Sequence, residues 1–398
     1  MKCFGITQWL NPFVLFWLYH VVFLFGGIFY RHVYEDSVLI ESSVIVLIWS
    51  GLLLTTLGAL MARAIVPGGL KTMSIAGLDL EPDRRVKKFV ATMFFVVGAT
   101  IAVMYFLSVG TVPFLADDAE DFRVEARMGK GFMVLLAIAF LKYSVFTIAV
   151  LKARQSRGVV TLVPYLCAAF VLALGIGNRA PALEIVLFAV LIVYAARNVS
   201  PPVATLTLAA VIGLTAMAFL GILRRGLDLS STMMLLQAAW RPFANIQNLQ
   251  WIYDAFPDNI AYLYGFGYLI DVAVVLPGYS PNFGTWFKEQ VGLDFSGGSV
   301  TVSYLGESYA NFGWIGVVSI ACICGFILAY LFYRFRICRN AEGIVLLACL
   351  ATSLKSIVSS GFVSVLLYDT CLLIGIHLMY KQSISALRWL RGSQAKPL

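Results

Sequence analysis

The sequence predicts an all-α, polytopic membrane protein with about ten transmembrane helices, and three observations support this fold class. The chain of 398 residues is 60% hydrophobic and 13% charged, and its mean hydropathy is +0.87. Soluble domains are closer to about half apolar and a quarter charged. Apolar runs of about 20 residues recur, which is the length that crosses a hydrocarbon core about 30 Å thick. The alternating short strands of a membrane barrel are not seen, so we expect the spans to be helices.

The predicted spans follow one another from near the start of the chain to near its end. They are Pro12–Phe29, Val38–Met61, Phe89–Ser108, Phe132–Leu151, Val159–Ile176, Ala182–Ala196, Val203–Leu223, Leu305–Tyr333, Gly343–Val358 and Gly361–Tyr380. The first run has one basic residue before it and no small-residue cleavage site after it, so we interpret it as a retained span. The whole chain, residues 1–398, is predicted to be a single integral membrane domain.

Lysine and arginine are concentrated in alternate loops, which predicts the orientation. The connection before the third span carries Arg84, Arg85, Lys87 and Lys88, and both chain ends are basic. Basic loops stay on the cytoplasmic side, so we expect both termini there. The net charge of +8 is then explained by topology and anionic lipid, and no nucleic acid is expected as a partner.

Two long loops are predicted outside the cytoplasm, at about 110–131 and 224–304. The second is about 80 residues long, far more than a connection requires, and such loops are usually functional. Apolar residues spaced three or four apart predict an interfacial helix starting at Pro242, with Arg241 before it and Asn245 and Asn248 on its polar face. The apolar stretch Gly265–Leu276 is too short to span and is expected to be interfacial or re-entrant.

The segment Ser296–Gly316 runs from a glycine-rich loop into the eighth span and carries an acid across that boundary. In a helix, Ser303, Glu307 and Asn311 recur every four residues and share one face. A carboxylate at the mouth of a membrane helix is costly unless it meets a partner, water or substrate. Glu307 is therefore the first candidate catalytic residue, with a structural contact between helices as the alternative.

Arginines beside apolar spans in the predicted exterior loops are the second chemical signal. Arg179 lies in the tight turn GIGNRAP, Arg241 lies at the mouth of the interfacial helix, and Arg123 and Arg127 are four residues apart. Guanidinium groups bind phosphates through two parallel hydrogen bonds and stay charged at any working pH. The alternatives are a snorkelling role for Arg179, and pairing of Arg123 and Arg127 with the neighbouring acids.

Two further features of the sequence are possible metal ligands and charged residues inside the predicted spans. The acids at Asp117–Asp121 lack spaced histidines, and the three histidines are far apart in sequence, so we expect no metal ligands and no cofactor. Lys142, Lys355 and Asp369 fall inside predicted spans. We expect Asp369 to pair with one of the lysines, and a relay of the kind used by transporters is the alternative.

With these residues in view, the chain resembles the Wzy-type O-antigen polymerases, which polymerise oligosaccharide repeat units. The segments GIGNRAP and GGSVTVSYLGESYANFGWIG and the turn LPGYSP support the resemblance, which covers Gly175–Tyr333. The second segment matches at Gly306, Glu307, Tyr309, Asn311, Phe312, Gly313 and Gly316.

The resemblance implies a GT-C-like, metal-independent glycosyltransferase at the periplasmic face of the bacterial inner membrane. Its donor and acceptor would be oligosaccharides on undecaprenyl diphosphate; membrane lipids and a chain-length regulator are the other expected partners. Glu307 would act as base, and Arg179 and Arg241 would stabilise the diphosphate leaving group. We expect Arg127, Arg123, Tyr309, Asn311, Ser303, Asn245 and Asn248 to contribute to substrate binding. An O-antigen ligase, a lipid-linked oligosaccharide flippase and a non-catalytic membrane subunit remain alternatives.

Overall fold

The structure is a computed structural model of the chain. It describes residues 11–28, 40–66, 83–116, 129–153, 158–177, 179–197, 246–273, 281–293, 300–336 and 341–394, with single residues or short pieces at 122, 126, 155 and between 199 and 219. These residues form helices and no strand, which confirms the all-α prediction.

Eight helical segments in the described part of the chain are long and apolar enough to cross a membrane. The helices are α1 (Pro12–His20), α2 (Ser42–Ile65), α3 (Arg84–Val109), α4 (Gly131–Lys152), α5 (Gly158–Gly175), α6 (Arg179–Arg197), α7 (Ile246–Ala255), α8 (Phe266–Ala273), α9 (Phe283–Gln290), α10 (Tyr304–Arg336), α11 (Ala341–Leu354), α12 (Ile357–Ser360), α13 (Phe362–Ser364) and α14 (Leu372–Gln394). The eight spans are α2 to α6, α10, the pair α11 and α12, and the run from α13 to α14.

Most of the predicted spans correspond to a helix with shifted ends. The first is a shorter apolar helix, Pro12–Ile28, and the prediction at Val203–Leu223 lies largely outside the described residues. The region predicted to form an interfacial helix contains the helix α7, whose buried side includes Ile246, Leu249 and Ile252; the predicted start at Pro242 lies outside the described residues. The segment predicted as interfacial or re-entrant contains α8.

Helix α4 lies at the centre of the bundle. In its apolar stretch 89% of the residues are buried, against 28–44% in α2, α3, α5 and α6. It contacts α3, α5, α6, α11 and α14. Helices α2 and α10 pack as a second unit at close range, since a Cβ on Gly325 would lie 1.8 Å from the backbone oxygen of Thr55. Small residues allow such backbone approach between membrane helices.

Contacts between helix termini define the two ends of the bundle. At one end, Lys130 before α4 donates to the carbonyl of Ser108 near the end of α3, at 2.6 Å. At the other end, Lys87 pairs with Glu342 at 3.1 Å and Arg388 pairs with Asp83 at 2.7 Å. We call the first the cavity end, because a cavity lined in part by Leu135 of α4 lies there, and the second the basic end. Lysine and arginine side chains at the basic end also bind helix carbonyls, as when Arg197 Nε donates to Ala153 O at 2.6 Å.

A buried ion triad corrects the predicted pairing of Asp369. Glu184 of α6 accepts from Lys355 Nζ at 2.6 Å through Oε1 and from Lys142 Nζ at 3.3 Å through Oε2. Lys142 and Lys355 therefore share Glu184 as their partner, because α6 packs against both α4 and α11 and brings its carboxylate between them. Asp369 instead lines a cavity, within electrostatic range of both lysines.

Candidate functional site

A cavity of about 270 Å³ opens beside the start of α10. Its walls come from α8, α9, the extended segment before α10, and the breaks between α12, α13 and the π-helical turn Val365–Cys371. The polar groups in its lining are Asp271, Asn282, Thr301, Glu307, Ser359, Ser360, Ser364, Tyr368 and Asp369. Hydroxyl and carboxylate groups around a small concave space are suited to a polar ligand such as a sugar.

Glu307 is the most deeply buried acid in this lining. Only 1% of its surface is exposed. Its Oε2 accepts a short hydrogen bond from the backbone N–H of Phe362, and its Oε1 is buried and has no hydrogen-bond partner among the described residues. A buried carboxylate oxygen without a partner is rare because desolvation is costly, so this atom is the outstanding candidate for contact with a ligand.

The break between α12 and α13 holds the other oxygen of Glu307. Gly361 has φ +90°, in the left-handed region that favours glycine, and it places the N–H of Phe362, the first residue of α13, against Oε2. A Cβ at Gly361 would lie 3.0 Å from Oε2 and 3.3 Å from the carboxylate carbon. The backbone at Gly361 thus fixes the carboxylate and leaves Oε1 for another partner.

For the polymerase function that the sequence resemblance implies, we predict that Gly361→Ala lowers chain extension while the protein stays in the membrane. The side chain would strain the positive φ by about 1–2 kcal/mol and crowd the carboxylate. Gly375→Ala is the matched control, because a Cβ there meets no atom within 4 Å. The measurement is glycan length on gels from cells that depend on each variant. Normal length with Gly361→Ala would mean that the position of the carboxylate is not important.

Asp271 is a second buried acid in the lining. It is 4% exposed, and its Oδ1 accepts from the Phe283 N–H at 2.8 Å. Burial raises the pKa of Asp271 above its ordinary value, and the hydrogen bond from Phe283 opposes that rise. The Tyr368 hydroxyl donates to the backbone oxygen of Asp271. Asp271 thus joins α8 to α9 and to the π-helical turn, and it shapes the cavity between them.

Ser303 and Asn311, which were predicted to share a face with Glu307, make hydrogen bonds to the backbone around it. Ser303 Oγ accepts from the Gly306 N–H at 3.2 Å and so caps the start of α10. Asn311 Nδ2 donates to Glu307 O at 2.7 Å, and its Oδ1 accepts from Gly265 N and Gly267 N at 3.1 and 3.0 Å. Asn311 therefore ties the turn that carries Glu307 to the start of α8.

Tyr309 and Asn248 are not part of the described lining of the cavity. Tyr309 is 5% exposed and stacks on Tyr253 of α7, with ring centroids 4.9 Å apart. Asn248 Nδ2 donates to Thr301 Oγ1 at 2.5 Å, and Thr301 does line the cavity. Both residues join α7 to the wall that contains Glu307.

Of the four predicted arginines, Arg179 falls on a described position. It is the first residue of α6, at the cavity end, and its side chain is partly exposed. Glu184 of the ion triad follows it by five residues, about 7.5 Å along the helix axis. Arg241, Arg123 and Arg127 lie outside the described residues, as does Asn245.

Asp271, Tyr368, Asp369 and Gly361 were not predicted to belong to the same site as Glu307. The sequence contains a signal for Gly361, since it separates two apolar runs in the region SSGFVS (359–364). Asp271 and Asp369 are single acids in apolar stretches, which is the usual mark of a functional group in a membrane protein. Only the folded chain brings these residues together. Among the described residues, no group of three His, Cys, Asp or Glu side chains is placed to hold a metal ion.

Comparison with known proteins identifies the family of this chain. No curated protein and no solved structure matches the chain. A family model described as "Putative O-antigen polymerase" matches residues 8–368. That match covers nearly all the described helices and every residue lining the cavity except Asp369, which follows directly. The chain therefore belongs to the O-antigen polymerase family.

Proposed function

We propose that this protein polymerises polysaccharide by transferring a growing glycan from undecaprenyl diphosphate onto a lipid-linked repeat unit. The reaction would take place at the outer face of the bacterial inner membrane, with both termini in the cytoplasm and the cavity end in the periplasm. Membership of the O-antigen polymerase family supports a role in O-antigen synthesis. The single observation that carries the chemistry is the buried, unpartnered Oε1 of Glu307 in the cavity wall.

The proposed step forms one glycosidic bond and breaks one sugar–phosphate bond. A hydroxyl oxygen of the acceptor attacks the anomeric carbon of the donor, while the bond from that carbon to the diphosphate oxygen breaks and its electron pair leaves with the diphosphate. Glu307 Oε1 takes the hydroxyl proton. Oε2 stays on the Phe362 N–H throughout, so the carboxylate does not rotate away from the acceptor.

The leaving diphosphate needs positive charge at the membrane surface. Arg179 is the described candidate, because it lies at the cavity end on the first turn of α6, where the helix dipole also favours an anion. Its guanidinium group would meet the leaving group in a bidentate contact. Arg241 is proposed for the same role and Arg127 as a further contact, with Arg123, Tyr309, Asn311, Ser303, Asn245 and Asn248 positioning substrate or the groups that touch it. The chemistry is proposed to be metal-independent, without a cofactor.

Deletion of the gene in a strain that depends on this protein tests the proposed function. We expect lipid A to carry one repeat unit at most. We also expect lipid-linked single repeat units to accumulate at the outer face of the inner membrane. Polymer of normal length accumulating on the lipid carrier would indicate a ligase instead. Repeat units trapped on the cytoplasmic side would indicate a flippase, and either result would contradict the proposal.

A further inference from the structure

The ionisable side chains in the described lining of the cavity carry either negative charge or none. Three carboxyl groups line it, from Glu307, Asp271 and Asp369, and the sixteen lining residues that the structure describes include no lysine, arginine or histidine. Lys142 and Lys355 are not in that lining, and both pair with Glu184. A carboxyl group offers no positive charge in either protonation state, so this lining is unfavourable for a phosphate.

The two substrates of the proposed reaction differ in where their phosphates are. The reacting carbon of the donor is bonded directly to the diphosphate. Wherever the reacting sugar of the donor binds, the diphosphate therefore binds next to it. The acceptor reacts at the other end of its repeat unit, with sugars between the attacking hydroxyl and its own diphosphate. An acidic cavity therefore favours the acceptor end over the donor end.

The size and walls of the cavity indicate how much of the acceptor enters. Its volume of about 270 Å³ lies below the usual range of about 300–1,000 Å³ for small-molecule pockets, which suits one sugar ring. Ser360, Ser364, Thr301 and Tyr368 bring hydroxyl groups to the lining, and Phe283 gives an apolar wall for the C–H face of a ring.

Glu307 supplies an independent indication that a ligand belongs there. Its Oε1 is buried and has no hydrogen-bond partner among the described residues, and a sugar hydroxyl is a donor that would satisfy it. The attacking hydroxyl and the proton acceptor would then be in direct contact.

We propose that this cavity is the acceptor subsite, which takes the non-reducing terminal sugar of the lipid-linked repeat unit. This sugar is neutral or carries an amino group, because a uronic acid would place its carboxylate among the carboxyl groups of Asp271, Glu307 and Asp369, with no cationic side chain in the described lining to pair with it. The inference rests on the polymerase function proposed above. It adds which substrate occupies the cavity and what charge that substrate has there.

Labelling of single cysteines with reagents of opposite charge tests the electrostatic field inside the cavity. Ser360→Cys and Thr301→Cys are two lining positions, and Ser108→Cys at the end of α3 is the control, outside the cavity and beside Lys130. The full-length protein in nanodiscs at pH 7 is treated with methanethiosulfonates that carry either trimethylammonium or sulfonate. Mass spectrometry of the labelled peptide gives the rate at each site, separately from the native cysteines.

Each rate is divided by the rate of the same reagent with a free thiol in solution, because a thiolate reacts faster with a cation than with an anion at any site. We expect the normalised rate of the cationic reagent to be about 10-fold or more above that of the anionic one at the cavity positions, because acidic groups in a cleft concentrate cations. At Ser108→Cys we expect no such preference. Equal normalised rates at both cavity positions, or a higher normalised rate of the anionic reagent, would overturn the proposal. Neither result depends on polymerase activity.

The repeat unit that accumulates in the deletion strain gives the second readout. We expect its non-reducing terminal sugar to be neutral or amino-substituted when analysed by mass spectrometry. Accumulation of a unit that ends in a uronic acid would overturn the acceptor assignment and leave the polymerase function standing. No accumulation at all would contradict the polymerase function itself, so the two failures can be told apart.

Discussion

Glu307→Gln is expected to abolish chain extension while the protein remains in the membrane. Glutamine can still accept the Phe362 N–H, so the turn around Gly361 should be kept, but its amide cannot take a proton from the acceptor hydroxyl. Loss of a positioned general base typically costs about 10²–10⁴-fold in rate, which is enough to reduce long chains to single repeat units. The measurement is glycan length on gels from polymerase-null cells that express the variant.

The matched control for this substitution is Glu289→Gln. Glu289 is an exposed residue of α9, close to the cavity in the fold but not part of its lining. We expect its variant to give wild-type chain length at equal protein level. Long chains with Glu307→Gln would restrict Glu307 to a structural contact between α10 and α13, and the proposed base would be wrong.

Arg179→Lys is expected to lose most of the chain extension, although the charge is kept. An ammonium group cannot make the two parallel hydrogen bonds of a guanidinium to a diphosphate. Losing one preorganised group that stabilises a developing anion costs about 10²–10³-fold in rate. We therefore expect short chains and a slow build-up of lipid-linked repeat units, measured in the same null strain.

Arg197→Lys is the control for Arg179, since it makes the same change at the opposite end of α6. Arg197 donates to a backbone carbonyl at the basic end of the bundle, and lysine can still supply one donor there. We expect normal chain length from this variant. If Arg179→Lys also gave normal length, a snorkelling role would explain Arg179 better than contact with the leaving group.

The membrane fold was predictable because its signal lies in local composition. Runs of about 20 apolar residues predict spans without knowledge of what they pack against, and the helices α2 to α6 and α10 follow those runs within a few residues. The ends shift because helix termini depend on caps, as with Ser303, whose hydroxyl binds the Gly306 N–H one turn into α10.

The candidate site was predictable only in part, because its residues come from separate parts of the chain. Glu307 was found because an acid at the mouth of an apolar run is costly wherever that run packs. Its partner, the Phe362 N–H, is 55 residues away and depends on a break at Gly361 that composition alone does not reveal. Asp271 and Asp369 likewise join the site only through packing of α8 and the π-helical turn.

The buried ion triad illustrates the same difficulty. Lys142 and Lys355 were recognised as buried charges that need a partner, and Asp369 was the acid expected to provide it. Glu184 was overlooked because it lies in a short predicted span whose other residues are mostly apolar. Which acid pairs with which lysine depends on helix neighbours, and α6 is the helix that packs against both α4 and α11.

Polymerisation by the purified protein is the most direct test of the account. The full-length protein in nanodiscs receives lipid-linked repeat unit as both donor and acceptor, in the presence of EDTA, and the products are separated by size. We predict a ladder of glycans that increases by one repeat unit per step, and no ladder from Glu307→Gln. A wild-type protein that binds the repeat unit but releases no undecaprenyl diphosphate and forms no ladder would contradict the central claim.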